Sequence, residues 1–201
     1  MPFWTFKVYQ ESGDRAEEMA LETERLIIRP FTLSDIDDVH REVYTSENVW
    51  GPKTREYVTD SVTMAMLMSR SPDDAPWAKR AVIRKEDSAF LGQVRLGPSH
   101  NYFYRWEEEP NPPCNPVEVE LSFAFGESFW GQSYAYEASV EMVRYAFEDL
   151  RLPRLLGGTG SDNLRSIQLH KRLGYRIYPA LTLEGKPDDG GIVAVLNNTM
   201  S

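Results

Sequence analysis

Val117–Ala138 reads VEVELSFAFGESFWGQSYAYEA, and this stretch decides the fold. Apolar residues alternate with polar or small ones over its first nine positions, which predicts a strand over Val117–Phe125. Gly126 and Gly131 mark a turn, and small or apolar residues recur at helical spacing after Gln132. A strand, a glycine-containing turn and a helix present free backbone N–H groups to an anion such as pyrophosphate. Many helices begin after a glycine and bind nothing, so this motif alone leaves both interpretations open.

A second unit follows this helix. Pro153 ends the helix, and the next residues, Arg154–Thr159, are predicted to form a short strand. Asp162 or Asn163 then caps another helix, which ends at Gly174. The chain therefore passes through two consecutive strand–helix units on this side of the fold.

The remaining segments mix strands and helices. Leu21–Pro30 is predicted to be a strand, and Ser34 is predicted to cap the helix that follows it. A second helix is predicted over 54–69, with Met64, Leu67 and Met68 turned towards the core. The other predicted elements are strands over Phe3–Tyr9, Trp77–Arg84, Ala89–Leu96, Tyr175–Thr182 and Ile192–Asn198, and an irregular stretch over Gly97–Pro116. This order predicts an α/β (α+β) sandwich in which helices flank a central sheet.

Three stretches of the chain resemble the GNAT superfamily of acyl-CoA-dependent N-acyltransferases. They are LETERLIIRPFTLSDIDDV from Leu21, VEVELSFAFGESFWGQSYAYEA from Val117 and DNLRSIQLHKRLGYRI from Asp162. Each stretch matches the family pattern only loosely by itself, but the three in this order and spacing are specific for the family. Within the superfamily they look like the branch that includes the bacterial acetyltransferases of ribosomal-protein N-termini. This resemblance implies a mixed, mostly antiparallel sheet that is splayed open between two parallel strands.

The resemblance also implies a binding place for acetyl-CoA as cosubstrate. The coenzyme would lie between strands Val117–Phe125 and Arg154–Thr159, with its pyrophosphate at the helix start. The residues implied to contact it are Phe123, Ala124, Phe125, Trp130, Gly131, Gln132, Ser133, Tyr134, Ala135, Asn163 and Ser166.

Ser133 and Tyr136 depart from the loop pattern of that branch, W-G-x-G-Y-A. Ser133 stands in the place of the second glycine, and Tyr136 stands where a small residue is common. If the position needs a positive φ, serine is strained there. If it is the first residue of the helix, serine is a suitable N-cap whose hydroxyl can bind a phosphate oxygen. The sequence leaves both open.

Acetyl transfer to an amine needs a base for the ammonium proton, a donor for the oxyanion and an acid for the leaving thiolate. The resemblance implies direct attack in a ternary complex. Glu120 is the candidate base, unless it belongs to a solvated strand face, as we expect for Glu118. His170 is the candidate acid, where the family often has tyrosine; a buried, hydrogen-bonded histidine is the alternative. Ser122 is a candidate to orient water or substrate, or a core serine.

The net charge of −9 argues against nucleic acid as a partner. It agrees with a cationic or amine-bearing acceptor, although acidity also serves solubility alone. Trp106, with Tyr104 and the acidic run Glu107–Glu109, is a candidate for selecting a cationic acceptor, and a solvated loop is the alternative. The three histidines show no metal-ligand spacing, so no metal is predicted.

Cys114 is the single cysteine, so an internal disulfide is excluded. No histidine lies near it in sequence, which argues against Cys114 as a nucleophile. The first residues show no signal peptide and no stretch is apolar enough to span a bilayer, so we expect a cytoplasmic protein with no membrane partner. Residues 1–20 are interpreted as an extension and 21–201 as one domain, monomeric or homodimeric.

The sequence thus favours an acetyl-CoA-dependent N-acetyltransferase. Its acceptor would be a peptide or protein N-terminus or a small amine. Two alternatives stay open: a non-catalytic acyl-CoA-binding module on the same fold, and an enzyme that transfers a longer acyl group.

Overall fold

A computed structural model describes residues 20–45, 51–100, 105–106, 117–182 and 185–199. The strands are β1 (Leu21–Glu22), β2 (Leu26–Pro30), β3 (Arg80–Arg84), β4 (Phe90–His100), β5 (Val117–Phe125), β6 (Arg154–Gly160), β7 (Arg176–Leu181) and β8 (Pro187–Asn197). The helices are α1 (Ile36–Glu42), α2 (Arg55–Arg70), α3 (Tyr134–Arg144) and α4 (Leu164–Arg172), and a π-helical turn, Tyr145–Asp149, prolongs α3. Short 3-10 segments are Leu33–Asp35, Ala75–Trp77 and Glu127–Phe129.

The eight strands form one mixed sheet in the order β1-β2-β3-β4-β5-β6-β8-β7. Neighbouring strands are antiparallel except β5 and β6, which run parallel. The antiparallel pair β4–β5 keeps register over nine residue pairs, but β5 and β6 share only the pair Glu120 and Leu156. The two parallel strands therefore separate beyond Glu120. This confirms the predicted fold class, a mostly antiparallel sheet splayed at one parallel pair.

Helices cover both faces of the sheet. On one face, α3 buries Ala138 and Met142 against strand residues such as Leu91. On the other face, α1 and α2 bury Val39 and Val58, together with neighbouring apolar residues, against β3 and β4. The predicted sandwich of helices around a central sheet is therefore present.

The N-terminal strand and its cap differ from the sequence prediction. Leu21–Pro30 is not one strand, because a turn in which the Thr23 amide bonds the Leu26 carbonyl (3.0 Å) separates β1 from β2. Ser34 is not the helix cap; Thr32 caps the 3-10 segment before α1 and forms a capping box with Asp35.

Helix α2 begins after its N-cap Thr54, close to the predicted start, but presents a different face to the core. Its buried residues are Val58, Val62 and Ala65. Met64 and Leu67, which were predicted to face the core, are 60% and 50% exposed. Small side chains line the core face, and the larger apolar ones lie outside it, so choosing the apolar side by side-chain size was wrong.

Two strands run further than their sequences suggest. Strand β4 continues to His100, four residues into the stretch predicted to be irregular, and β8 begins at Pro187, inside a turn-rich segment. Strand β3 is shorter than predicted, because Ala75–Trp77 forms a 3-10 turn. The predicted strand Phe3–Tyr9 lies outside the described residues. In the described part of the chain, no helix is long and apolar enough to cross a membrane.

Candidate active site

A cleft of about 780 Å³ opens where β5 and β6 separate. Its walls are the C-terminal halves of these strands, the loop and first turn of α3, and one side of α4 along its length. The predicted site residues that line it are Glu120, Ser122, Phe123, Ala124, Phe125, Trp130, Gly131, Ser133, Tyr134, Ala135, Asn163, Ser166 and His170. Gln132 is the one predicted site residue that does not line it. The volume lies in the range of pockets that hold small molecules and cofactors.

The loop before α3 contains two left-handed residues, Gly131 at φ +76° and Ser133 at φ +63°. Ser133 is also the N-cap of α3, so it has both the positive φ and the helix-start position that the sequence left open. Its side chain makes no capping hydrogen bond; the hydroxyl instead accepts one from Arg172 Nη1 at 3.1 Å. A serine held at this φ costs about 1 kcal/mol relative to glycine.

The predicted anion cradle is formed by backbone amides at the start of α3, and its binding of pyrophosphate stays a prediction. The Trp130 amide already donates to the Glu127 carbonyl (3.1 Å), so it is not available to a ligand. The amides of Tyr134 and Ala135 lie in the first helical turn, where no intrahelical acceptor exists. Left-handed residues just before a helix turn successive N–H groups to one side, as in other anion-binding concavities.

Two arginines that the sequence analysis missed lie at the rim of this cradle. Arg165 lies 4.5 Å above the Trp130 ring, and Arg172 lies 3.7 Å above the Tyr136 ring. They are seven residues apart on α4 and therefore on one helical face, a spacing visible in the sequence. Among the described residues neither forms an ion pair with a carboxylate. Two cations beside a helix N-terminus fit the phosphates of coenzyme A.

The turn between β1 and β2 fixes the loop from outside. Arg25 donates to Glu137 through its backbone amide (2.9 Å) and its Nε (2.7 Å), and its guanidinium reaches the Gln132 carbonyl at 3.3 Å. Burial alone would raise the pKa of Glu137, but hydrogen bonds from Thr23 and Arg25 outweigh it and lower that pKa. The charged Glu137 thus ties α3 to the edge of the sheet.

Asn163 connects the end of β6 to α4. Its Oδ1 accepts from the Ser166 amide at 3.2 Å and its Nδ2 donates to Thr159 Oγ1 at 3.0 Å. The predicted helix cap is therefore present, and Gly174, at φ +93°, ends the helix as predicted. Contacts of Asn163 and Ser166 with the coenzyme remain predictions.

His170 is 2% exposed and lies between the rings of Phe123 and Tyr175, with centroid distances of 5.5 and 5.0 Å. Its Nδ1 lies 2.8 Å from the Ser166 carbonyl oxygen, which can only accept, so Nδ1 carries the proton of the neutral ring. Nε2 then holds a lone pair and has no hydrogen-bond partner among the described residues. Burial lowers the pKa of His170. This arrangement fits the buried, hydrogen-bonded histidine that the sequence left open as the alternative to an acid.

Glu118 and Glu120 lie two residues apart on β5 but have different surroundings. Glu118 is 7% exposed and forms an ion pair with Arg154 of β6, so the expected solvated face is wrong for it. Glu120 lies at the last position where β5 and β6 are in register, and it lines the cleft. The ion pair Glu118–Arg154 thus joins β5 and β6 just before Glu120, the position after which the two strands separate.

Trp106 does not belong to a solvated loop. It is 3% exposed and packs with Leu156 and Val193, and the Arg154 guanidinium lies 5.2 Å from its ring. It is therefore a core residue of the sheet. Tyr104, Glu107–Glu109 and Cys114, to which the sequence analysis also gave candidate or excluded roles, lie outside the described residues.

A mixed sheet that splays open at one parallel pair, beside the start of a helix, is the architecture that the resemblance to the GNAT acyltransferases implies. The chain belongs to the GNAT acetyltransferases, because the family model for the acetyltransferase (GNAT) domain matches residues 25–176. Enzymes of this family use acetyl-CoA as cosubstrate and act on an amine-bearing acceptor.

Individual proteins agree with this assignment. The chain is 26% identical over 159 residues to the uncharacterized N-acetyltransferase YnaD of Bacillus subtilis (strain 168), which covers 79% of this chain and 83% of the relative. The GNAT-family acetyltransferase from Bacillus anthracis has a TM-score of 0.67 at 19% identity, covering 89% and 98% of the two chains. An acetyltransferase from Agrobacterium tumefaciens str. C58 has a TM-score of 0.65 at 22% identity, covering 96% of this chain and 99% of that chain. These two structures show the fold.

The strain at Ser133 gives a first prediction. Replacing Ser133 with glycine is expected to raise stability by about 1 kcal/mol, because the left-handed conformation no longer opposes a Cβ. This corresponds to a melting temperature roughly 2–4 °C higher. Ser133→Ala is the matched control, since it keeps the Cβ and loses the hydroxyl that Arg172 contacts. A glycine variant that melts below the wild type would contradict the assignment of strain.

The buried neutral His170 gives a second prediction. The unfolded chain binds a proton at about pH 6.5, whereas burial keeps the folded imidazole neutral to lower pH. The contribution of His170 to the free energy of unfolding should therefore be complete above pH 6.5. It should fall as the pH is lowered towards the pKa of the folded imidazole. Urea unfolding between pH 7 and 5 should show a smaller loss for His170→Gln than for the wild type. His40→Gln, at an exposed position, is the control; equal slopes in all three proteins would refute the prediction.

Proposed function

We propose that this chain transfers the acetyl group of acetyl-CoA to a primary amine by direct attack, with Glu120 as the base. The domain that does so would be 21–201. The observation that carries this proposal is the place of Glu120, at the last registered pair of the splayed strands and on the wall of the cleft. A carboxylate there faces the end of the cleft opposite the phosphate cradle, where an acceptor amine would meet the thioester.

Each group in the cleft has a part in this scheme. Acetyl-CoA supplies the activated acetyl group as a thioester. Arg165, Arg172 and the amides at the start of α3 hold its phosphates, and the edge of β5 over Phe123–Phe125, whose last carbonyl also accepts from Trp130 Nε1, would pair with its pantetheine arm. Glu120 takes the proton that the ammonium group must lose before the nitrogen can attack the acetyl carbon. As the C–N bond forms and the C–S bond breaks, the nitrogen gives its second proton to water. The departing thiolate takes a proton from water in turn, because neutral His170 carries none on Nε2.

Two measurements test the proposal. Calorimetry with acetyl-CoA reports binding, and release of free thiol in the presence of single amines and short peptides reports transfer. Binding together with amine-dependent thiol release supports the proposal. Binding without transfer to any amine or peptide would instead indicate a coenzyme-binding module, and the absence of any heat would contradict the proposed coenzyme site.

The peptide arm separates the acceptors that the sequence left open. A protein N-terminus as acceptor predicts that short peptides with a free α-amine are acetylated faster than small amines. A small-amine acceptor predicts the reverse. Mass spectrometry of the products identifies the acetylated nitrogen in either case.

A further inference from the structure

A second cavity, of about 330 Å³, lies on the other side of β5 from the phosphate cradle. It is lined by Tyr44, Lys53, Tyr57, Lys79, Gln93, Val94, Arg95 and Ser122. Ser122 also lines the coenzyme cleft, so the two spaces meet at this residue. The second cavity therefore lies next to the end of the cleft that contains Glu120.

The charge of this cavity is opposite to that of the whole chain. The chain has 31 acidic and 22 basic residues, yet three cations and no carboxylate line the cavity. Lys79 Nζ donates to Ser61 Oγ at 2.9 Å and Arg95 Nε to the Trp77 carbonyl at 3.1 Å, and both acceptors are neutral. Within the described ranges, none of Lys53, Lys79 and Arg95 forms an ion pair. Lys53 is exposed, but Lys79 and Arg95 are half-buried, and half-buried cations without counter-charges are costly unless an anion joins them.

The register of β4 and β5 places this charge next to the base. Arg95 is opposite Ser122, and Gly97 is opposite Glu120. A Cβ at Gly97 would lie 3.0 Å from the Arg95 guanidinium, so that guanidinium lies over Gly97. Directly opposite residues of an antiparallel pair are about 5 Å apart. Arg95 and Glu120 are therefore close enough for one small molecule, with an anion at one end and an amine at the other, to reach both.

We propose that the acceptor is a small primary amine that also carries a carboxylate or a phosphate, which Arg95 and Lys79 bind while the amine faces Glu120. This inference rests on the proposed function and names its substrate class. It replaces the cationic acceptor that the net charge suggested, because the local field at the site, and not the sum over the surface, acts on a bound substrate. Burial, to which the charge of Arg95 adds, lowers the pKa of Lys79, and a bound anion would oppose that change.

Matched acceptors test the proposal through thiol release from acetyl-CoA. β-Alanine and O-phosphoethanolamine carry an anion, ethanolamine carries none, and 1,3-diaminopropane carries a second cation. We expect kcat/KM to be at least about tenfold higher for one or both anionic acceptors than for ethanolamine, and lowest for the diamine. The two anionic acceptors distinguish a carboxylate site from a phosphate site.

Variants locate the effect. Arg95→Gln and Lys79→Met should each raise KM for the preferred anionic acceptor about tenfold or more and leave ethanolamine nearly unchanged. Arg95→Lys, which keeps the charge, should retain part of the preference. Arg70→Gln, at an exposed position at the end of α2, is the control. Circular dichroism of each variant shows whether it is folded, and the comparison of acceptors within one variant does not depend on its yield.

The outcomes separate the two proposals. Transfer to ethanolamine or the diamine at rates equal to or above those for the anionic acceptors would overturn the anionic acceptor and leave the acetyltransferase intact. The same applies if Arg95→Gln and Lys79→Met change all acceptors alike. No transfer to any amine or peptide, with coenzyme still bound, would contradict the proposed function itself.

Discussion

Replacing Glu120 with glutamine is expected to lower kcat for acetyl transfer by about 10²–10⁴-fold. The amide keeps the size and hydrogen-bonding capacity of the side chain but cannot take the proton from the acceptor ammonium. The residue lies at the end of the cleft where β5 and β6 are in register, away from the phosphate cradle, so the dissociation constant for acetyl-CoA should change less than threefold. A loss in kcat with coenzyme binding intact therefore distinguishes a base from a residue that holds the fold.

The choice of acceptor sharpens this experiment. An amine of low pKa is already neutral at the assay pH, so its transfer should suffer less from Glu120→Gln than transfer to an ordinary primary amine. Glu86→Gln, in the exposed turn between β3 and β4, is the matched control and should keep wild-type rates. If Glu120→Gln retained full activity with every amine, the base would have to be another group.

The parts of the site that could be predicted from sequence depend on residues close together in the chain. Alternation over Val117–Phe125 defines β5, and Asn163 and Gly174 define the two ends of α4, because caps and strand faces are set by local backbone geometry. The separation of β5 from β6 was predicted only from the family resemblance. The spacing of residues within the sequence does not show that these two strands are neighbours.

The parts that were missed depend on distant partners. Glu118 is buried because Arg154, 36 residues later, neutralises it across the parallel pair. The cavity behind Ser122 combines Lys53, Lys79 and Arg95 from segments before α2, before β3 and within β4. Neither the pairing nor the shared cavity leaves a periodic signal in the sequence, so only the folded arrangement shows them.

Gly157 lies on β6 beside His170, and alanine at this position is expected to be among the most damaging small substitutions in the cleft. A Cβ there would lie 2.3 Å from His170 Nε2, far inside van der Waals contact. The imidazole cannot retreat away from the cleft, because the Ser166 carbonyl holds it on one side and Tyr175 packs against it on another. Such overpacking costs about 1–3 kcal/mol.

The ring would relieve the contact by turning towards the coenzyme cleft, since His170 lines that space. Gly157→Ala should therefore weaken acetyl-CoA binding by about tenfold or more as well as lower stability, and calorimetry and urea unfolding measure the two effects separately. A double-mutant cycle assigns the cause. In a His170→Ala background the added methyl group occupies vacated space, so Gly157→Ala should cost less than about 0.5 kcal/mol there. An equal cost in both backgrounds would show that the β6 backbone, and not the imidazole, rejects the side chain.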